Sequence, residues 1–390
     1  MLDVFLKETL DDLNTRSLKR TLKPVDGVQS ARIIIDGKNV LNLCSNNYLG
    51  LADDKRLEQA AMEAIKKEGL GSGASRLVCG NMESHRALEM TLAKFKGTES
   101  AIVFSTGYMA NVGIISSLYN RHDAIFSDKL SHASITDGIL LSGAELKRYP
   151  HNDMEALEAF LKKADSKGKR VIITDSVFSM DGDIAPLDKI VRLAKKYHTA
   201  VMVDEAHALG VFGKNGKGLA EHFGLEKEID IQMGTLSKAA GAFGAYCCGS
   251  KELIEFLVNK ARSFIYTTGL PPVICAAAAR AIDIIQAEPL LRQKLWDHTH
   301  FVQNELRRLG FDIMNSQSPI IPILVKDSKL AVEFSKRLFD EGIFVSAIRP
   351  PTVPQNTARL RVTVMAAHSR QDLESAVEKF EKIGKQLRAI

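Results

Sequence analysis

The chain reads as an α/β protein: a large domain built on a mostly parallel sheet, followed by a smaller α+β C-terminal domain. Two patterns predict this. Between residues 101 and 248, short apolar runs alternate with segments of helical period, the order in which crossover helices join strands buried on both faces. After residue 288 the alternation gives way to three strand-like runs and two helices. A third observation sets the scale. The chain has 390 residues, 45% hydrophobic and 25% charged, the proportions of a globular protein with room for two domains.

The elements follow in order. Leu2, Phe5, Leu6, Leu10 and Leu13 recur at helical spacing and predict an amphipathic helix over 2–18. Runs at 32–35 and 40–43 flank Asp36-Gly37 and predict a hairpin. A helix over 56–67 stops at Gly69, before the glycine-rich stretch 69–76. Strands are predicted at 101–104, 124–126, 171–174, 201–203 and 245–248, with a helix over 187–197. A long helix over 271–288 is followed by strands at 320–325, 343–348 and 360–364 and helices at 330–339 and 373–387. The expected division is an N-terminal helix and hairpin arm (1–45), a large domain (46–285) and a small domain (286–390).

Charge and cysteine usage exclude several classes. A formal net charge of +5 is too small an excess to name a nucleic-acid partner. Lys66-Lys67 and Lys162-Lys163 lie on helix-like stretches among acidic residues and read as solvated faces. Cys44, Cys79, Cys247, Cys248 and Cys275 are odd in number and contain no C-x-x-C, which predicts buried thiols in a reducing compartment. Asp3, Lys7, Glu8, Asp11 and Asp12 interrupt the first residues, so no signal peptide is expected. No apolar run reaches the ~20 residues of a membrane span. The expectation is a cytoplasmic protein with no membrane and no nucleic-acid partner.

Three motifs carry chemistry. GSGASR (71–76) lacks the third glycine of G-x-G-x-x-G and follows a helix, which excludes a dinucleotide fingerprint. A backbone turn beside a substrate and a plain loop both stay open. VMVDEAH (201–207) resembles a Walker B strand, but no Gly-Lys pair in the chain is followed by Ser or Thr, so the phosphate loop of a nucleotide-driven helicase is missing. That leaves Asp204 at the carboxyl end of a buried strand, where open α/β sheets bind ligands, with His207 three residues on. No H-E-x-x-H or Cys/His cluster occurs, so no metal site is expected, and His298 and His300 read as surface histidines. GTLSKAAGAFG (234–244) holds Lys238 among hydroxyls and glycines. It is either a loop lysine or an amine in a partly desolvated pocket, able to form a Schiff base.

Lys238, Asp204 and His207 together suit pyridoxal phosphate. That cofactor needs a lysine for its aldehyde, a carboxylate to keep the pyridine nitrogen protonated, and donors for its phosphate. STGY (105–108), at a strand-to-helix turn, offers helix N-terminal amides, and Thr235 and Ser237 add hydroxyls. His132, in SDKLSHAS (127–134), is a candidate to stack on the ring. Ser179, in VFSMDGDIAPL (177–187), follows another buried strand.

As a set, CSNNYLGL, GSGASR, SDKLSHASITDG, TDSVFSMDGDIAPL, VMVDEAHALGVFG and GTLSKA resemble the α-oxoamine synthases, over nearly the whole chain. These are pyridoxal-phosphate enzymes of the aspartate-aminotransferase fold type, the fold type I transferases. The resemblance implies a Schiff base on Lys238, Asp204 on the pyridine nitrogen and His132 on the ring as the catalytic set. It implies Ser179 and His207 near the 3-hydroxyl, and Gly107, Tyr108, Thr235 and Ser237 around the phosphate. Thr268 would reach the phosphate in a neighbouring subunit, so a homodimer with a shared active site is implied. Arg361 matches the arginine for the amino-acid carboxylate, with Asn46 beside it, and Arg20, Arg349 and Ser75 are candidates for the acyl substrate. Glu205 departs from the second Asp common in the family, but the pleat of a strand points it away from Asp204. IRPPTVP (348–354) resembles the branch that condenses L-alanine with a pimeloyl thioester and releases carbon dioxide. The branch using glycine and acetyl-CoA is the alternative. Coenzyme A and an acyl carrier protein both stay open as the acyl carrier.

Overall fold

The computed structural model describes residues 1–16, 18–164 and 168–390. The chain forms two compact units, one of residues 47–179 and 183–293, the other of residues 1–46, 180–182 and 294–390.

The first unit is organised by a seven-stranded sheet. Its spatial order is Ser100–Phe104, Ala245–Gly249, Ile231–Thr235, Ala200–Asp204, Arg170–Asp175, Ala124–Asp128 and Glu145–Tyr149. Ala245–Gly249 runs antiparallel to both its neighbours, and all the other pairings are parallel. Val171, Ile172, Ile173, Val201, Met202 and Val203 are all buried, which is why these strands lack alternation in the sequence. The helix Leu187–Lys196 buries Leu187, Ile190, Val191 and Ala194, one stripe at helical spacing. Pro272–Ala287 is the long helix expected at 271–288.

Two strands of this sheet carry no clear apolar signal. Glu145–Tyr149 is an edge strand with only Tyr149 buried, so its polar sequence is free to face water. In Ile231–Thr235 a glutamine and a glycine interrupt the run. Gly234 is required there, because a Cβ would come within 2.4 Å of the Tyr246 hydroxyl on the adjacent strand.

The second unit holds two three-stranded sheets. Ala358–Thr363 lies between Ile320–Lys326 and Ser346–Ile348, antiparallel to both. The expected hairpin, Arg32–Ile35 with Lys38–Asn42, is extended by Ile343–Phe344 in parallel. The run 343–348 is therefore two strands rather than one: its first two residues pair with the hairpin and its last three with Ala358–Thr363. Hydrophobic periodicity reports burial and not partners, so a strand that changes sheets at a buried Val345 looks continuous. Phe311, Phe334 and Phe380 pack edge-on or tilted in the core of this unit. The N-terminal helix, Leu2–Thr15, is formed as expected and buries none of its residues.

Two expectations about individual residues are corrected. His298 is buried, with Nδ1 3.3 Å from the Met365 carbonyl, and burial lowers its pKa; an apolar core closes over a helix position that reads as polar. His300 is exposed. Cys79 is exposed and Cys44 half-buried, whereas Cys247, Cys248 and Cys275 are buried as expected. Cys79 sits in the loop after GSGASR, between the helices Lys55–Glu68 and Glu83–Lys96. Among the described residues, no helix is long and apolar enough to cross a membrane.

Glu205 follows the end of Ala200–Asp204 and is fully buried. Its two carboxylate oxygens accept the backbone N–H groups of Leu219 and Ala220, each at 2.9 Å. Gly218 makes room for this contact: a Cβ there would lie 2.5 Å from Glu205 Oε2. Glu205→Ala strands two buried donors, so we expect a loss of about 2–4 kcal/mol of unfolding free energy in urea titrations.

His151 is held between two acids, Nδ1 3.0 Å from Asp128 and Nε2 2.7 Å from Asp183. Burial opposes its charge, but the hydrogen bonds to both carboxylates outweigh it and raise its pKa to about 9. A histidine whose folded pKa exceeds the unfolded value of about 6.5 stabilises fully below that pH, and the contribution fades as pH rises through 9. The destabilisation caused by His151→Gln should therefore be largest near pH 6 and shrink steadily toward pH 9.5, read from denaturant unfolding at each pH.

Candidate functional site

Asp128, Asp175, Asp204 and Thr235 each end a strand. Parallel pairing brings those carboxyl ends to one edge of the sheet, and the segments leaving them build a cavity there. Gly107, Tyr108, His132, Asp204, His207, Thr235, Ser237 and Lys238, all singled out from the sequence, line it together. Asn111, Ser134 and Asp175 line it too; Ser134 and Asp175 fall inside SDKLSHAS and TDSVFSMDGDIAPL without being singled out, and Asn111 lies outside every motif.

Lys238 lies in the loop between Ile231–Thr235 and Ala245–Gly249. The loop is closed by Gly241, whose N–H donates to the Lys238 carbonyl at 2.9 Å. Gly241 has φ +63°, and a Cβ on it would meet the Ala52 backbone nitrogen at 2.3 Å. Asp204 is 4% exposed. Its Oδ1 accepts the Ala206 N–H at 2.9 Å and its Oδ2 the Asn111 amide at 2.8 Å.

His132 opens onto the cavity and also caps the helix Ala133–Ser142. Its backbone N–H donates to Asp175 Oδ2 at 2.9 Å. Protein packed around the ring shields it from bulk water and lowers its pKa, against the pull of Asp204, so the imidazole is neutral near pH 7. Asp175 is paired with Asp204 across the parallel ladder. Burial, and then the charge of Asp204, raise its pKa well above the usual carboxylate range. A carboxylate beside another at a strand end is visible only once strand register is known. Tyr48 shares a 2.7 Å hydrogen bond with His207 Nδ1. It belongs to the CSNNYLGL motif, yet its role appears only in the fold.

At the other end of the cavity the helix Gly107–Leu118 begins. The Thr106 hydroxyl accepts the Met109 N–H at 3.1 Å, leaving the amides of Gly107 and Tyr108 outside the helix ladder. A Cβ at Gly107 would stand in ordinary contact with Met233 at 3.4 Å and Thr235 at 3.9 Å, both lining residues, so this position borders the cavity. Thr235 donates its hydroxyl proton to the Gly244 carbonyl at 2.9 Å and therefore accepts from Ser237 Oγ at 2.7 Å.

Ser179 and Thr268 do not line this cavity. Thr268 is exposed and precedes Gly269, whose N–H donates to the Ala74 carbonyl at 2.9 Å. Ser72 in turn donates to the Leu270 carbonyl at 2.8 Å, so GSGASR packs as a turn against residues 269–270. Ser75 is half-buried in that turn and accepts the N–H groups of Val78 and Gly80. In the second unit Arg361 is buried, donating to Thr363 Oγ1 at 2.9 Å and to Asn46 Oδ1 at 3.0 Å. Arg20 donates to Thr352 at 2.9 Å. Arg349 has its pKa lowered by burial and then by the nearby charge of Arg20.

The first unit's donor set fits pyridoxal phosphate: an amine, a buried carboxylate, an imidazole, and free helix N-terminal amides behind a side-chain-free position. Residues 38–380 match the family described as aminotransferase class I and II. The chain is 52% identical over 382 residues to an 8-amino-7-oxononanoate synthase of Citrifermentans bemidjiense, covering 97% of this chain and 98% of that one. It is 51% identical over 380 residues to the protein of that name from Geobacter sulfurreducens, covering 97% of each. Among solved structures, a serine palmitoyltransferase of S. paucimobilis with a bound PLP–myriocin aldimine matches with a TM-score of 0.94 and 34% identity, over 99% of this chain and 98% of that one. The fold is therefore that of the fold type I transferases, and the chain uses pyridoxal phosphate as its cofactor. The chain belongs to the aminotransferase class I and II family and, within it, to the pyridoxal-phosphate-dependent acyltransferases of the 8-amino-7-oxononanoate synthase family.

Proposed function

We propose that the protein condenses L-alanine with a pimeloyl thioester, releasing carbon dioxide and the free thiol carrier, to make 8-amino-7-oxononanoate for biotin biosynthesis. Identity of about half the residues over 97% of the chain with relatives of that name carries this reading. The stretch IRPPTVP supports it.

When bound, pyridoxal phosphate supplies an aldehyde for the substrate amine and an electron sink that acidifies the α-proton of the amino acid. Lys238 holds the aldehyde end and, once displaced, takes that proton at Nζ, which requires the amine to be neutral. Asp204 would pair with the pyridine nitrogen and keep it charged. His132, neutral, would stack on the ring and offer an N–H to the acyl oxygen. His207 serves the 3-hydroxyl, with Tyr48 fixing it; Ser179, outside the cavity, is left without that role. The amides of Gly107 and Tyr108 take the phosphate, and Ser237 turns its hydroxyl proton from Thr235 to the phosphate when the cofactor binds. Thr235 has its proton committed to Gly244 and supports Ser237.

Arg361 binds the amino-acid carboxylate through its fork, steadied by Asn46. Arg20 and Arg349, two cations in one neighbourhood, suit the anionic groups of the acyl substrate, with Ser75 a further contact. The protein acts as a homodimer: Thr268 stands outside its own chain's cavity beside exposed Tyr266, as a residue lent to a partner's site would. The unpaired cysteines support a cytoplasmic location.

Purified, cofactor-loaded protein should form product of the expected mass from L-alanine and pimeloyl-CoA, or the same acyl group on a carrier protein, and none from glycine and acetyl-CoA. Product from the second pair alone would assign the glycine-using branch instead. Lys238→Ala should abolish turnover in a protein that stays folded by circular dichroism. Asp204→Asn should lower kcat by about 100-fold or more while cofactor is retained, as measured by steady-state kinetics and absorbance.

A further inference from the structure

Asn111 and Ser134 stand behind the two groups of the cavity whose orientation matters most. Asn111, on the helix Gly107–Leu118, is 1% exposed, and Ser134 is fully buried at the start of the helix Ala133–Ser142. The Asn111 amide nitrogen has two hydrogens and two acceptors, Asp204 Oδ2 at 2.8 Å and Ser134 Oγ at 2.9 Å. The opposite orientation of the amide would set its oxygen against a carboxylate oxygen. The Asn111 Oδ1 that results is buried without a hydrogen-bond partner, so this side chain is spent entirely on its two donations.

Those donations settle the next link. Ser134 Oγ accepts from Asn111, so its own proton is available to His132 Nδ1, 2.7 Å away. The Ser134 backbone N–H points at the same nitrogen, at 3.3 Å. A nitrogen that receives two donors carries no proton of its own, and the neutral ring then keeps its hydrogen on Nε2.

We propose that Asn111 and Ser134 form a positioning pair that ties Asp204 to His132 and locks His132 as the neutral tautomer protonated on Nε2. The inference rests on reading this cavity as the cofactor site with His132 at the ring. A proton on Nδ1 would confront two donors and leave Nε2 with a lone pair instead of the N–H that an acyl oxygen needs. The lock holds in a mixed field, with Asp204 and Asp137 on one side of the balance and Lys238 on the other. Through Asn111, a shift of the Asp204 carboxylate is felt at the imidazole, so two of the catalytic groups move as one.

Nitrogen chemical shifts of the full-length protein, labelled with 15N-histidine, test this with and without pyridoxal phosphate; His132→Asn assigns the signals. The expected result is an unprotonated Nδ1 and a protonated Nε2 in the wild-type protein. Ser134→Ala and Asn111→Ala should each move both shifts toward the average of the two tautomers. Each should also lower kcat about tenfold, with the KM for the amino acid within about twofold. A wild-type His132 that is protonated on Nδ1, or already at the average, overturns the proposal, and this arm needs no variant to fold. Shifts that stay put in both variants, or a kcat that holds while the shifts move, also overturn it. Failure of the cofactor reading would look different: no visible absorbance band on adding pyridoxal phosphate, with the nitrogen shifts of the free protein unchanged.

Discussion

A negative charge buried at the end of a central strand is the constraint around which the first unit is arranged. Removing a carboxylate from water costs several kcal/mol unless its oxygens are occupied. Asp204 meets this with the Ala206 N–H on one oxygen and the Asn111 amide on the other, and both donors depend on the sheet edge being where it is. Ala206 is on the turn that leaves the strand, and Asn111 is on the helix that leaves a strand three places away in the sheet. The same edge sets Asp175 beside Asp204, where burial and the neighbouring charge favour its neutral form. One charge rather than two then faces the cavity.

Adjacent residues of the D-E pair show how one strand end serves two purposes. Asp204 turns to the cavity, while Glu205 turns the other way and caps the amides of Leu219 and Ala220. The extra methylene that separates glutamate from aspartate lengthens its reach to those amides, and Gly218 supplies the room. The departure from the second aspartate common among α-oxoamine synthases therefore falls on the packing side of the strand, and the cavity keeps its carboxylate.

Glycine plays the complementary part on the cavity's other walls. Gly107 borders the cavity at the helix N-terminus, and Gly241 lets the Lys238 loop press against residues 51–52 with a positive φ that a side chain would strain. Neither position contributes a side chain. At Gly241 the close approach decides how the loop that carries Lys238 can pack.

Local chemistry by itself determined the strand-ending Asp204, the hydroxyl- and glycine-flanked Lys238, the S-T-G-Y turn and the alternating runs of the sheet, because each depends on a few neighbouring residues. Tertiary structure alone decided what lies far apart in sequence. It split residues 343–348 between two sheets, hid His298, brought Asp175 beside Asp204, and placed Tyr48 on His207 and Asn111 between Asp204 and Ser134. Each of these rests on strand register or helix packing, and an apolar or polar pattern along one segment records that a face is buried without recording what buries it.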